Sequence, residues 1–398
     1  MTPVPVTSYA TINACGLGNF AFYQALLKQQ TGLGELGLLD IPFKTKVAEI
    51  RQPLPAIRPE LAVYDSRNSR VALAALNHAE DGLREAVKSA RSRYGAARVG
   101  VVIGTSTSGL YETEAAYAKM LNTGVMPEDF YFLSRHAYQA TPRFLQHELA
   151  LRGPCFAIST ACSSSTKAIA AGQRLINNDI CDAVLVGGVD TLCLLTLRGF
   201  NSLELVAEDF CRPMDRHRKG INIGEGAALL LLEKPNKALQ QYPHVLSVGE
   251  STDAYHMSTP HPEGQGASLA MQQALQQAGL QSQAIDYLNL HATATLINDH
   301  VEAKAVEYVF KNTLPCSATK GITGHTLGAA GAIEAIVALL ALKHGFIPGT
   351  WGLQQTDADC HCRVDQQTLP GQNLHIVMSN SFGFGGNNAS LILSSDYA

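Results

Sequence analysis

The chain has 398 residues, of which 46% are apolar and 16% charged, and a net charge of −4. That length suits two domains or one large duplicated one, with enough apolar residues for a sizeable core. So mild a balance lacks the basic footprint that nucleic acid usually requires of its partner.

Nine cysteines, an odd number, are scattered along the chain and form no disulfide framework. The N-terminus, "MTPVPVTSYATINACGLGNF", has no basic segment followed by an apolar run, so a reducing cytoplasm is the expected setting. No apolar stretch approaches the length of a membrane span. The nearest, 335–342, is short, follows Glu334 and predicts a buried helix. Cys360-His361-Cys362 matches no zinc spacing and has no second pair nearby, so no metal site is expected there.

In chain order, "DSRNSRVALAALN" predicts a helix on which Arg67 and Arg70, three apart, share a face. Residues 97–109, "ARVGVVIGTSTSG", predict a buried strand entering a polar, glycine-bearing loop. Extra chain follows, from around Tyr117 to Gln146, of the kind that caps a site or builds an oligomer contact. A small-residue helix is expected from Cys162, then strands over 183–190 and 226–234. The second half repeats that order. A strand over 286–295 ends in a polar loop, and a small-residue helix covers 324–342. A strand enters a glycine turn over 374–386, and a last strand covers 389–395. Continuous apolar strands alternating with helices predict sheets covered on both faces. The expected organisation is a duplicated α/β core divided near Pro235, with halves 1–235 and 236–398.

Equivalent strand ends of such halves would bring Cys162, His291, His325 and the Phe384 turn together. Cys162 reads either as a small buried hydrophobe or as a nucleophile whose pKa a helix N-terminus lowers. His291 ends an apolar strand and is followed by Thr293, Thr295, Asn298 and Asp299. His325 stands between Gly324 and Gly328. A thiol with two histidines at matching loops suits acyl transfer. The turn with Gly383, Gly385 and Gly386 could aim a backbone N–H at an oxyanion. Lys320 and Glu302 read as a solvated pair, or as groups that orient the histidine loops. No P-loop, strand–GxGxxG–helix unit or HExxH is present.

Four motifs carry a resemblance: "TACSSS" at 160–165, "HATAT" at 291–295, "TKGITGHTLGAAG" at 319–331 and "NSFGFGGNN" at 380–388. Together they resemble the β-ketoacyl–acyl carrier protein synthases of the thiolase superfamily, over about 99–394. The resemblance implies a five-layered α-β-α-β-α thiolase fold, a dimer, and no metal or redox cofactor. It implies Cys162 as the acylated nucleophile, His291 and His325 as the catalytic pair, and Lys320 with Glu302 as a buried support pair. Thr293 and Thr295 match threonines that hold phosphopantetheine. Phe384 matches a gate whose N–H joins that of Cys162 in the oxyanion hole.

Departures from the family pattern bear on substrate. Ala292 and Ala294 replace glycines, and Lys219-Gly220-Ile221 replaces Asp-Gly-Phe. Thr107 stands where a bulky aliphatic gates the acyl pocket. Thr107 and Ile221 are similar to ketosynthases of secondary pathways, aryl polyene biosynthesis in particular. Arg67, Arg70 and Arg212 are the candidate docking residues for an acidic acyl carrier protein. The partner in the dimer is a second copy or a chain-length-factor-like homologue. A non-catalytic chain-length factor is the alternative reading, but such proteins lack the reactive cysteine. A degradative thiolase would need a second cysteine in the last glycine turn.

Overall fold

The computed structural model describes residues 1–396. Its apolar runs form the strands β1 (Val4–Asn13), β2 (Val99–Gly104), β3 (Cys155–Ile158), β4 (Ala183–Asp190) and β5 (Gly226–Glu233) in the first half. The second half holds β6 (His244–Thr252), β7 (Tyr287–Asn289), β8 (Cys316–Ser317), β9 (Ile376–Gly383) and β10 (Asn387–Ser394). Spatial order is β1-β5-β4-β2-β3 in the first half and β6-β10-β9-β7-β8 in the second. Parallel and antiparallel pairs occur at the same places in both, so one topology appears twice. The halves are stitched where Val4 and Pro5 of β1 pair antiparallel with Val245 and His244 of β6.

Between the sheets lie two helices, α2 (Ser164–Asn177) and α5 (Ala330–His344), packed on each other and on strands of both halves. A helix covered all round needs no polar face, and α5 is buried without a break from Ala330 to Leu342. The segment Leu327–His344 is apolar enough to cross a membrane by composition, but 89% of it is buried here, between the sheets. The outer faces are covered by α1 (Arg67–Asn77) in the first half, and by α3 (Gln265–Ala278) and α4 (Leu296–Phe310) in the second. The layers are thus α-β-α-β-α.

The strand expected over 286–295 stops at Asn289. Beyond it Ala292 and Ala294 take φ of 22° and 66°, which no strand tolerates, and the Glu302 carboxylate captures the N–H groups of His291 and Ala292. The helix expected from 324 begins only at Ala330, which leaves His325 in a loop. The extra chain in the first half forms helices Leu110–Thr123, Phe132–Arg135 and Ala140–Glu148. It exposes Leu121, Val125 and Leu133 at 80%, 68% and 75%. Strand β3 ends its sheet and is only half-buried along its length.

Candidate functional site

Cys162 lies two residues before α2, in a turn where Ala161 is left-handed at φ 53°. Such a backbone costs an alanine about 1–2 kcal/mol, and it presents the thiol ahead of the helix start. His325 reaches it from the equivalent turn of the second half, with Nε2 2.9 Å from Sγ. His291 is edge-on to His325, ring centroids 5.5 Å apart. Sγ and one nitrogen of each imidazole lie within 4.8 Å of one another. The glycine turn closes on the same point: a Cβ on Gly383 would stand 2.9 Å from the Thr160 carbonyl oxygen and 3.1 Å from the Cys162 nitrogen. That approach brings the Phe384 N–H close enough to oppose the rise of the thiol pKa. These groups line a cavity of about 600 Å³, with Phe200, Ile221, Thr293, Thr295 and Phe384 on its walls.

Protonation follows from the surroundings. Burial, Lys320 and His325 hold His291 well below the usual histidine range, and burial and Lys320 do the same for His325. Both imidazoles are therefore neutral at neutral pH. The Lys320 ammonium donates to His291 Nδ1 at 3.2 Å and to its carbonyl. That leaves the His291 proton on Nε2, facing the thiol and His325. The expectation of a lowered thiol pKa is not met. Cys162 is 5% exposed, and burial pushes its thiol up to about 12 against the opposing charge of Lys320 and the Phe384 N–H.

Lys320 and Glu302 are both buried, but they are not each other's partner. Lys320 is ion-paired with Glu334, on the inner helix α5. Glu302 accepts from the N–H groups of His291 and Ala292 and from Asn380, so it shapes the histidine loop through the backbone. Burial raises both carboxyls to about 7. Glu334 shows in the sequence only as a lone acid inside an apolar helix, a signal that marks a buried partner for a cation.

Three other expectations are corrected. The Thr107 hydroxyl donates to Asp190 at 2.8 Å and is 1% exposed; it does not face the cavity. Asp190 also receives Ser106 N–H and, from the histidine loop, Gly328 N–H, so it ties the two halves together behind the site. Arg67 turns inward to an ion pair with the buried Glu225, and Arg70 is held by Asp65 on Nε at 2.5 Å. They do not present a shared free face. Arg212 is half-buried against Gly352, off the cavity wall; the cations that do line the cavity are Arg218 and Lys219. Thr293 and Thr295 are on the wall, hydroxyls 3.1 Å apart, and Phe384 lies 5.4 Å from Phe200, ring to ring. Cys360 and Cys362 are buried in the outer core of the second half, and among the described residues they belong to no metal-ligand cluster.

Residues 2–238 match the family "Beta-ketoacyl synthase, N-terminal domain" and residues 242–354 match "Beta-ketoacyl synthase, C-terminal domain". The chain is 31% identical to 3-oxoacyl-[acyl-carrier-protein] synthase 2 of Coxiella burnetii, covering 98% of each chain. It is 34% identical to nodulation protein E of Rhizobium meliloti, over 81% of each. Among solved structures, it is similar to a chain of the ketosynthase ApeO in complex with its chain length factor ApeC from Xenorhabdus doucetiae. There the TM-score is 0.91 at 39% identity, with 98% of both chains covered.

Proposed function

The chain belongs to the β-ketoacyl synthase family, and on that premise we propose that it joins an acyl group held on Cys162 to malonyl–acyl carrier protein by decarboxylative Claisen condensation. The observation that carries this reading is the floor of the cavity. A thiol touches one neutral histidine, and a second neutral histidine has its proton fixed on Nε2 by Lys320.

With the thiol pushed up to about 12, attack on the acyl thioester begins as its proton passes to His325 Nε2, the base in reach. Sulfur bonds to the thioester carbonyl, and the oxyanion is held by the N–H groups of Cys162 and Phe384. Loss of one such donor costs roughly 3–4 kcal/mol. The carrier thiol leaves with the proton, and His325 is neutral again. Malonyl carrier then enters. Its terminal C–C bond breaks, carbon dioxide departs and the electron pair becomes a thioester enolate. The Nε2–H of His291 holds the enolate oxygen, and His325 joins it as its Nε2–H tautomer, its single proton having exchanged from Nδ1 to Nε2 through solvent after acylation. The carbanion attacks the acyl-cysteine carbonyl, the Cys162 thiolate is expelled and takes a proton from solvent, and a 3-ketoacyl carrier two carbons longer is released. No step calls for a metal or a redox cofactor.

The partner in this reading is an acyl carrier protein for substrate and a chain-length-factor-like homologue for the dimer. The half-buried edge strand β3 and the exposed Leu121, Val125 and Leu133 support such a contact, as does the likeness to a ketosynthase that is bound to its chain length factor. The finer reading is a secondary pathway of the aryl polyene kind. Thr107 no longer speaks for it, since its hydroxyl is spent on Asp190; Ile221 on the cavity wall, in place of phenylalanine, still does. Nine free cysteines suit a reducing cytoplasm. The test is product analysis by mass spectrometry, with saturated and polyenoyl carriers in competition, with and without the partner. A 3-ketoacyl carrier formed first from the polyenoyl substrate is expected. Preference for the saturated chain in both settings would return the protein to ordinary fatty-acid elongation.

A further inference from the structure

The sequence departs from its family at Lys219, and the structure gives that residue a defined place. Its neighbours on both sides are pinned to the loop that carries Thr293 and Thr295. Arg218 is buried and donates from Nε to the Thr295 carbonyl at 3.1 Å and from Nη2 to the Leu296 carbonyl at 2.9 Å. Gly220 donates its N–H to the Ala294 carbonyl at 2.9 Å. With φ 122° and a Cβ position 2.2 Å from the Leu205 carbonyl oxygen, residue 220 admits only glycine. Lys219 is therefore held between two anchors at the rim of the cavity whose floor is Cys162. The charge of Arg218 is answered by Asp299 and Asp357. Lys219 is exposed and enters no ion pair among the described residues. Among the described residues that line the cavity it is the lysine or arginine without an ion pair, though the Glu204 and Asp253 carboxylates share the wall, while Arg67 and Arg70 are committed elsewhere.

A thioester substrate on a pantetheine arm has its reacting carbon at one end and a phosphate at the other. With the thioester on Cys162 and the arm along Thr293 and Thr295, the phosphate emerges at the rim. We propose that Lys219 is the anchor for the phosphate of the phosphopantetheine arm, which binds the arm by its only charged group. This rests on the ketosynthase reading above. A lysine is a compact point charge with three donors, suited to a phosphate that swings at a solvent-exposed rim. Carrier protein and coenzyme A both offer this phosphate chemistry; the carrier is the source assigned here.

The test follows decarboxylation of malonyl thioesters of pantetheine, 4′-phosphopantetheine, coenzyme A and holo carrier protein by the full-length protein. The wild type is expected to favour phosphopantetheine over pantetheine in kcat/KM by about fivefold, the scale of one exposed charge pair. Lys219→Ala should erase that ratio through KM, Lys219→Glu should invert it and Lys219→Arg should restore most of it. Carrier-borne malonate should lose at least as much as the free phosphopantetheine thioester. A wild-type ratio retained in Lys219→Ala, or no ratio in the wild type, overturns the assignment. A loss confined to coenzyme A overturns the carrier as source. Failure of the wild type to decarboxylate any of the four thioesters overturns the ketosynthase reading instead.

Discussion

The turn before α2 and the turn before α5 occupy the same point of a repeated topology, between the third strand of each half and its inner helix. They are built from opposite materials. The first has a thiol and the small hydroxyls Thr160, Ser163 and Ser164, hydrogen-bonded among themselves and to local backbone. The second is framed by buried charge: Lys320 and Glu334, with Glu302 behind the neighbouring histidine loop. Duplication supplies two turns that face each other; in the proposed mechanism divergence makes one the nucleophile and the other its proton machinery. A buried charge is tolerated only when paired, so the second turn needs partners that the first does not.

That contrast can be broken most sharply at the histidines. His325 touches the sulfur, whereas His291, within 4.8 Å of it but not hydrogen-bonded to it, is given only the enolate in the proposed mechanism. Replacing either with alanine should slow malonyl decarboxylation by about 10²–10⁴-fold. Acylation of Cys162 should fall far more in His325→Ala than in His291→Ala, measured as single-turnover adduct formation. Equal acylation defects would remove the division of labour.

The next effect is on stability. Arg67→Ala leaves Glu225 buried and unpaired, and should cost about 3–5 kcal/mol in denaturant unfolding. Arg70→Ala, at an exposed pair, should cost no more than about 1 kcal/mol. If the two cost the same, Arg67 is not the inward strut described above.

A smaller effect is expected in pH dependence. Both histidines sit well below their ordinary value, chiefly from burial and then from Lys320. They stay neutral as pH falls through about 6.5, so the acid limb of decarboxylation should lie well below that pH. Lys320→Met removes one lowering cause from each and should move the limb upward, toward 6.5. The stability sign agrees. An unfolded histidine takes a proton near pH 6.5 and these folded ones do not, so folding loses free energy as pH falls below that point. An acid limb unmoved by Lys320→Met would show that this charge does not set histidine protonation.

The smallest effect concerns Ala294, left-handed at φ 66°. Ala294→Gly relieves about 1 kcal/mol of strain but loosens the unfolded chain by about as much, and it removes a methyl buried in a cluster with Leu33, Ala48 and Cys211, so stability should fall by about 0.8 kcal/mol. No loss at all in denaturant unfolding would mean that the strain relieved outweighs the packing of this methyl.

Much of this was legible because strands buried on both faces read as unbroken apolar runs, and β4 and β5 lie where "AVLVGGVD" and "GAALLLLE" predict them. The meeting of Cys162, His291 and His325 was legible through the repeat and the family motifs. What stayed hidden was pairing across the chain. Nothing local tells Lys320 to choose Glu334 over Glu302, Arg67 to find Glu225 at a sequence distance of 158, or Thr107 to bend its hydroxyl to Asp190. The thiol pKa escapes a sequence reading for a related reason. A helix start can be read from sequence, but the depth at which its first turn is buried comes from the second half packing over it.

The central claim is that the first half carries the covalent intermediate while the second handles protons and the enolate. Intact-protein mass spectrometry after incubation with an acyl carrier, followed by carbon dioxide release from malonyl carrier, tests it directly in the wild type, Cys162→Ala and Cys162→Gln. The account predicts one acyl adduct in the wild type and none in either variant, with decarboxylation surviving in Cys162→Gln because His291 and His325 remain. An acyl adduct on Cys162→Ala, or complete loss of decarboxylation in a folded Cys162→Gln, would contradict it.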